Sequence, residues 1–129
     1  MNPFSLASLS AVASGAVFGA LLRYGVSVWL SDSASRFPMA TLLVNAFGSL
    51  MAGAVVVMVL KGQLSENWRL FLIVGLCGAL TTFSSFALET FTLLQQGEHI
   101  KALVSVALNV LCSLVFAAIG FWITKQILI

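Results

Sequence analysis

Charged residues are scarce in this chain of 129 residues. Asp, Glu, Lys and Arg together make up only 8% of it, against 60% hydrophobic residues, and the mean hydropathy is +1.10. A soluble domain carries about 25% charged residues, so this balance excludes one. The six Lys and Arg exceed the four Asp and Glu by a net charge of +2 and form no basic run, which argues against nucleic acid as a partner. Composition therefore indicates an integral membrane protein.

Motifs for enzyme chemistry are also missing. The two cysteines, Cys77 and Cys112, fall in different apolar segments with no CxxC pair and no nearby His, so we expect reduced, small apolar side chains. The sequence has no phosphate-binding loop, no HExxH motif and no nucleophile beside a base, so we do not expect an enzyme. The first apolar stretch has no positive charge before it and runs on to Leu30, which predicts a retained span rather than a secretory signal.

Four long apolar segments make up most of the chain. At about 20 residues per span, they predict transmembrane helices at roughly residues 4–30, 38–60, 68–94 and 100–127. The intervening loops are short, so consecutive helices should be antiparallel neighbours. The fold class predicted is an all-α integral membrane protein, with residues 1–129 forming one four-span domain.

One segment of the third span does not suit lipid. Residues 75–89 read GLCGALTTFSSFALE and include two glycines, two threonines, two serines and Glu89. A helix break exposes backbone N–H and C=O groups, which survive at membrane depth only where protein or a water-filled path covers them. We therefore predict that the third helix is broken near Gly75–Thr82.

Two phenylalanines follow the predicted break. Phe83 and Phe86 are spaced i, i+3, so both rings project from nearly the same helix face. Ring edges are positive, and edges turned into a narrow path would attract an anion; the simpler alternative is that both rings face lipid or the core. Thr82, Ser85 and Glu89 form a polar half-face on the same helix, where a buried carboxylate must meet water or find donors.

Small or polar residues recur at every fourth position in the other spans. These stripes suit close helix packing and should face one another; they are Ala11, Gly15, Gly19 and Arg23 in span one, Thr41, Asn45, Ser49 and Gly53 in span two, and Ser105, Asn109 and Ser113 in span four. Asn45 either joins helices by hydrogen bonding or donates its amide to a passing ion. Arg23 either snorkels to the headgroups or lies in a water-filled vestibule, where it raises the local anion concentration.

The basic residues near the ends of the spans are balanced between the two sides. One side holds Lys61, Arg69 and Lys125, and the other holds Arg23, Arg36 and Lys101. The positive-inside rule then gives no preferred orientation, which predicts dual topology, with copies inserted both ways. Such copies could pair as an antiparallel homodimer about a two-fold axis in the membrane plane.

The motifs resemble those of one family. Residues 78–86, GALTTFSSF, are similar to the GGLTTFSTF signature of the Fluc (CrcB) fluoride channels of microbes, and residues 40–45, ATLLVN, are similar to their GTLxVN motif. Arg23 followed by Tyr24 resembles the arginine of their first helix, and the resemblance covers the whole chain in length, span number and motif order. It implies a passive, highly selective channel that exports fluoride across the cell inner or plasma membrane and relieves fluoride toxicity, built as an antiparallel homodimer with two pores.

The resemblance also assigns roles to residues. It implies a fluoride pore lined by Phe83, Phe86, Asn45, Thr82, Ser85, Ser113 and Glu89, with Arg23 in the vestibule. It further implies a structural Na⁺ at the dimer interface, held by the backbone carbonyls of Gly78 and Thr81, and hard carbonyl oxygens freed by a helix break do suit a hard cation. Three positions depart from the family motifs, namely Ala79, Ser85 and Ala40. Ser85 keeps a hydroxyl, whereas Ala79 puts a methyl group where the backbone would need positive φ or close approach if the family glycine serves that purpose.

Two other hypotheses remain at this point. A small proton-coupled exporter of organic cations needs a buried carboxylate, and Glu89 is the one inside a predicted span, although such exporters carry theirs in span one, where this chain has Arg23. A non-transporting assembly subunit would use the polar stripes only to join helices. A flux that does not depend on a proton gradient would distinguish a channel from the exporter. Loss of that flux when Phe83 and Phe86 are replaced by Ile would distinguish it from the assembly subunit.

Overall fold

The computed structural model describes residues 4–31 and 37–128 of the chain. Four helical segments in this part are long and apolar enough to cross a membrane: Leu6–Trp29, Met39–Leu60, Glu66–Gln95 and His99–Ile127. Their bounds lie close to the predicted ones and confirm the all-α, four-span fold class. Arg36, one of the residues in the charge balance, lies outside the described residues.

Three spans are continuous helices and the third is not. The continuous ones are α1 (Leu6–Trp29), α2 (Met39–Leu60) and α6 (His99–Ile127). The third span begins with α3 (Glu66–Arg69), continues as a π-helical segment (Leu70–Cys77) and α4 (Gly78–Leu80), and resumes as α5 (Phe83–Gln95). We call residues 66–80 the first half of this span and α5 the second half.

The break lies at the end of the predicted segment, not at its glycines. Thr81 and Thr82 have extended backbones, with φ and ψ of −78° and 152° and of −150° and 123°. Gly75 and Gly78 are both helical, so the break predicted near Gly75–Thr82 is confirmed at its threonine end. Branching at Cβ makes threonine more favourable in extended than in helical backbone, which agrees with this position.

Glycine contacts join α1 to the first half of the third span. A Cβ on Gly15 would overlap the carbonyl oxygen of Phe71, and a Cβ on Gly75 would stand 2.6 Å from that of Val12. Neither neighbour can move aside, because each is helix backbone. Small residues on these two faces therefore allow the close approach that the Gly15–Gly19 spacing predicts.

The second close pair consists of α2 and α6. A Cβ on Gly53 would overlap the carbonyl oxygen of Ala117, and a Cβ on Gly120 would overlap that of Leu50. Among the most buried residues here are Val57 on α2 and Ala102 and Ser105 on α6. Two close-packed helix pairs thus provide the frame in which the broken span is held.

Two turns require left-handed glycines. Gly62 has φ of 69° just after α2, and Gly97 has φ of 75° just after α5. In both turns the residue after the glycine donates its backbone N–H to a carbonyl in the last turn of the helix, from Gln63 to Met58 and from Glu98 to Leu93. This arrangement satisfies carbonyls that the helix end leaves free and reverses the chain in a few residues.

Candidate functional site

The site is built around the break between α4 and α5. Thr82 is the N-cap of α5, and its Oγ1 accepts a hydrogen bond of 3.1 Å from the backbone N–H of Ser85. The same hydroxyl donates to Ser85 Oγ at 3.1 Å. A threonine at this position satisfies a donor that the start of a helix leaves unpaired, so the second half can begin directly after two extended residues.

Asn45 of α2 forms hydrogen bonds with both the N–H and the carbonyl of Thr82. Its Oδ1 accepts from the Thr82 N–H at 2.8 Å, and its Nδ2 donates to the Thr82 carbonyl at 3.2 Å. The side-chain amide thereby replaces the two backbone partners that a continuous helix would have supplied. A single residue of α2 thus satisfies both polar backbone groups of Thr82 inside the membrane.

Asn109 of α6 completes this polar cluster. Its Oδ1 accepts from Asn45 Nδ2 at 2.9 Å, and its Nδ2 donates to the carbonyl of Ser105 at 3.0 Å. Both asparagines are buried, with 9% and 5% of their surface exposed. Sequence reasoning did not include Asn109 among the site residues, although its place in the stripe of span four was the signal that could have found it.

Beside the break lies a cavity of about 390 Å³ between α2, α5 and α6. It is lined by Asn45, Ser49, Thr81, Thr82, Phe83, Phe86, Asn109, Val110, Ser113 and Leu114. Five residues predicted for the pore are therefore brought together here, namely Asn45, Thr82, Phe83, Phe86 and Ser113. Ser85 does not line this cavity, because its side chain turns to the cap with Thr82.

The two phenylalanines are in contact with each other. The ring centroids of Phe83 and Phe86 lie 5.4 Å apart with an interplanar angle of 63°, an edge-to-face arrangement. Phe86 is half-buried, whereas Phe83 is 79% exposed. The edge of one ring therefore points to the face of the other, and the exposed ring of Phe83 is available to a second surface.

Glu89 lies in a different recess, two turns further along α5. Its Oε1 accepts a hydrogen bond of 2.7 Å from the hydroxyl of Thr41, while its Oε2 is buried with no hydrogen-bond partner. The recess, of about 520 Å³, is also lined by Phe37, Pro38, Leu88, Thr92, Leu93 and Gln96. The residues of the predicted polar half-face are thus divided, with Thr82 in the recess at the break, Glu89 in a separate recess and Ser85 in neither.

Arg23 of α1 contacts the chain just before the break, whereas Asn45 contacts Thr82 within it. Its Nε donates to the carbonyl of Ala79 at 3.0 Å, near the end of α4. Gly78 and Thr81, the predicted sodium ligands, lie one residue before and two residues after Ala79, and Gly78 is exposed on the surface of the chain. Ala79 is helical, and in the described residues positive φ occurs only at glycines, so the departure from the family motif causes no backbone strain there.

The donor set at the site is suited to ions held by dipoles rather than to transition metals. Within residues 4–31 and 37–128, no group of three or more His, Cys, Asp or Glu side chains could hold a metal ion. The groups around the break are amides, hydroxyls, carbonyls and ring edges. Four apolar spans with a broken helix and a polar recess at its break are typical of multi-pass membrane proteins of the channel and transporter class.

Comparison with known proteins names the family. Residues 10–121 match the family described as CrcB-like protein, Camphor Resistance (CrcB). The chain is 44% identical over 115 residues to a fluoride-specific ion channel FluC of Marinobacter nauticus, covering 88% of this chain and 91% of that one. It is 40% identical over 123 residues to the protein of the same name from Acinetobacter baylyi, covering 92% and 98%. The Thermus thermophilus protein of that name is 45% identical over 111 residues, covering 85% and 87%. The chain belongs to the CrcB family.

Proposed function

We propose that the protein is a passive fluoride channel of the cell membrane. The observation that carries this proposal is the cavity at the break, where Phe83 and Phe86 meet hydroxyl groups in a chain whose relatives are named fluoride-specific channels. A small anion gives up part of its hydration shell in a narrow path, and close contacts must replace it. Positive ring edges and hydroxyl donors supply such contacts without a fixed charge that would hold the anion too tightly.

Within this pathway, the two kinds of polar residue have different tasks. Ser113 and the two Phe side chains line the cavity, and the Ser113 hydroxyl and the ring edges would contact fluoride. Thr82 also lines the cavity, but its hydroxyl already donates to Ser85 Oγ, so it would act by capping α5. Both Nδ2 hydrogens of Asn45 are directed to protein acceptors, so its main contribution is to hold Thr82 in place. Ser85 acts through the same cap, and the Glu89 recess forms the far end of the polar path.

The direction of transport follows from the chemistry of hydrogen fluoride. The neutral acid crosses membranes, ionises in a cytoplasm more alkaline than the surroundings, and accumulates there as the anion. A passive channel then lets fluoride leave down its own gradient, and no energy source is required. Relief of fluoride toxicity by export is the resulting physiological role.

We further propose that the functional unit is an antiparallel homodimer with two pores. One chain leaves Phe83 largely exposed and its polar cavity open on one side, so a single copy encloses no complete path. A second copy related by a two-fold axis in the membrane plane would close both cavities at once. Dual insertion, expected from the balanced basic residues, would provide such copies.

The carbonyl groups at the break fit a structural Na⁺ at that interface. The N–H of Thr82 donates to Asn45 and that of Ser85 donates to the Thr82 hydroxyl, so the carbonyls of Gly78 and Thr81 lack their α-helical donors. Hard oxygen ligands of this kind suit a hard cation, but two per chain are too few to complete its coordination. A two-fold pair would contribute both sets of ligands, and the ion would then stabilise the dimer.

Efflux from liposomes tests the proposed function. Purified protein in vesicles loaded with fluoride or chloride should release fluoride rapidly and retain chloride, with no imposed proton gradient, as read by ion-selective electrodes. Phe83→Ile and Phe86→Ile should each lower fluoride efflux by roughly tenfold or more, because an aliphatic side chain has no positive edge. Phe91→Ile is the matched control, since Phe91 is exposed on the same helix and does not line the cavity. Absence of fluoride release from folded, dimeric protein would refute the proposal.

One observation keeps a second candidate function open to test. A proton-coupled cation exporter needs a buried carboxylate, and Oε2 of Glu89 is buried with no hydrogen-bond partner. Under that hypothesis, Glu89→Gln would abolish uptake of an organic cation driven by a proton gradient. We expect no such uptake in the unaltered protein, and fluoride efflux that does not change when a proton gradient is imposed.

A further inference from the structure

We infer that Arg23 is a positioning residue that holds the end of the first half of the third span, and so sets the geometry of the break. This inference rests on the proposed channel function. It assigns Arg23 a task distinct from raising the anion concentration in a vestibule. The juxtaposition that carries it is the hydrogen bond from Arg23 Nε to the carbonyl of Ala79, across 56 positions of sequence.

The Ala79 carbonyl needs an external donor. In a continuous helix it would accept from the N–H four residues later, which belongs to Phe83, the first residue of α5 beyond the break. The last carbonyls of any helix lack intrahelical donors, and inside a membrane water does not replace them. Arg23 supplies a donor to one of these groups, and its side chain is half-buried.

The position of this donor is determined by packing one turn earlier. A Cβ on Gly19 would come within 2.9 Å of the Leu80 nitrogen and 3.1 Å of the Ala79 side chain, so α1 and α4 are in direct contact there. Arg23 follows Gly19 by four residues and therefore projects from the same face of α1. The contact at Gly19 thus fixes the Arg23 backbone at the height from which Nε reaches the end of α4.

The charge of Arg23 adds to this effect. Carbonyl groups at the C-terminal end of a helix carry a partial negative charge, which a cation stabilises. On the other side of the break, Asn45 holds Thr82. The two extended residues are therefore held between a donor from α1 and an amide from α2, and the orientation of Phe83, directly after them, depends on both.

Two substitutions separate the donor from the charge. In Gln, Nε2 is the same number of bonds from Cα as Nε is in Arg, so Arg23→Gln keeps a donor at that position and removes the charge. Arg23→Lys keeps the charge and puts a carbon at that position. Arg23→Met removes both, and Ser27→Ala is the control, because Ser27 lies one turn further along α1 and its hydroxyl donates to its own helix.

The experiment measures fluoride and chloride efflux from liposomes for all five proteins at low and high ionic strength, after size-exclusion chromatography has confirmed equal folding. We expect Arg23→Gln and Ser27→Ala to keep at least half of the unaltered rate, and Arg23→Lys and Arg23→Met to lose roughly tenfold, the effect of one lost hydrogen bond. Full activity of Arg23→Lys with loss in Arg23→Gln would overturn the inference in favour of a purely electrostatic role.

Equal activity in all the variants, or equal loss in Gln, Lys and Met, would also overturn it, because the donor would then make no difference of its own. A failure of the channel proposal is distinguishable, since in that case the unaltered protein itself would release no fluoride. Ionic strength provides the second readout. If Arg23 acts only by attracting anions, Arg23→Met should abolish the salt dependence of the efflux rate, and Arg23→Lys should keep both the rate and its salt dependence. If Arg23 is a positioning residue, Arg23→Lys should keep the salt dependence while its rate falls.

Discussion

The two halves of the third span follow each other in sequence, yet different interactions hold them. The first half packs backbone to backbone against α1 through Gly15 and Gly75, and buries Gly75, Leu76 and Cys77 in succession. The second half, α5, buries only Leu93 among its residues. It is tied instead by hydrogen bonds, at Thr82 to Asn45 and at Glu89 to Thr41.

The contrast shows how a membrane protein can keep one part of a helix rigid and leave another open. Lipid tails are as apolar as leucine, so helices associate through close packing and hydrogen bonds rather than through the hydrophobic effect. The first half uses close packing, which requires small residues where its backbone meets that of α1. The second half uses a few polar contacts, which leave its face free for a cavity and for Phe83.

The largest effect is expected from a substitution that breaks the packed half. Gly75→Leu would put a side chain where a Cβ alone would stand 2.6 Å from the Val12 carbonyl and 2.9 Å from Gly15. Because helix backbone cannot move aside, we expect loss of folded protein, seen as aggregation in size-exclusion chromatography. Gly25→Ala is the control, since no atom lies within 4 Å of its added Cβ, and it should stabilise α1 by about 0.5–1 kcal/mol. A Gly75→Leu protein that elutes like the unaltered one would contradict the role assigned to this contact.

A smaller but specific effect is expected at the junction of the two halves. Asn45→Asp keeps an acceptor for the Thr82 N–H but sets a carboxylate against the Thr82 carbonyl and Asn109 Oδ1. We expect fluoride efflux to fall by roughly tenfold or more while helix content by circular dichroism stays unchanged, because a buried donor is lost and a charge is left unpaired.

Ser14→Ala serves as control for Asn45→Asp, since the Ser14 hydroxyl bonds only to its own helix. Undiminished efflux in Asn45→Asp would show that the geometry at Thr82 does not depend on the amide.

The open half can be tested at its far end. Thr41→Val removes the donor to Glu89 Oε1 and leaves both oxygens of this carboxyl group without a partner. We expect a loss of about 1–3 kcal/mol in the free energy of unfolding, measured by denaturant titration in detergent.

Thr41→Ser keeps the hydroxyl and should keep the stability. The double substitution Thr41→Val with Glu89→Leu should recover much of the loss, because removing both partners leaves no buried group unsatisfied. No recovery in the double variant would indicate that Glu89 is stabilised by something other than Thr41.

The smallest effect is expected at the N-cap of α5. Thr82→Ala removes the side-chain acceptor of the Ser85 N–H and should cost about 1 kcal/mol, whereas Thr82→Ser should cost little. Hydrogen exchange should report the change at the first turn of α5 and not in the first half of the span. Faster exchange throughout both halves would mean that they unfold together and are not held independently.

The predictions from sequence were most accurate where a local property decides the outcome. Span bounds follow from hydropathy, because lipid selects by the apolar character of each residue in turn. The break was predicted within residues 75–82, and it lies at the last two of them. Gly75 is helical and is required by the approach of α1, while Thr81 and Thr82 carry the extended backbone.

What the sequence by itself determined is therefore the number of spans, their polar stripes and the region of the break, since periodicity and composition report on one helix at a time. Only the tertiary structure decided which side chains meet. The pairs are separated by 37 positions for Asn45 and Thr82, 48 for Thr41 and Glu89, and 56 for Arg23 and Ala79. Each contact depends on the rotation and the relative height of two helices to within the length of a hydrogen bond, and close packing between helices sets both.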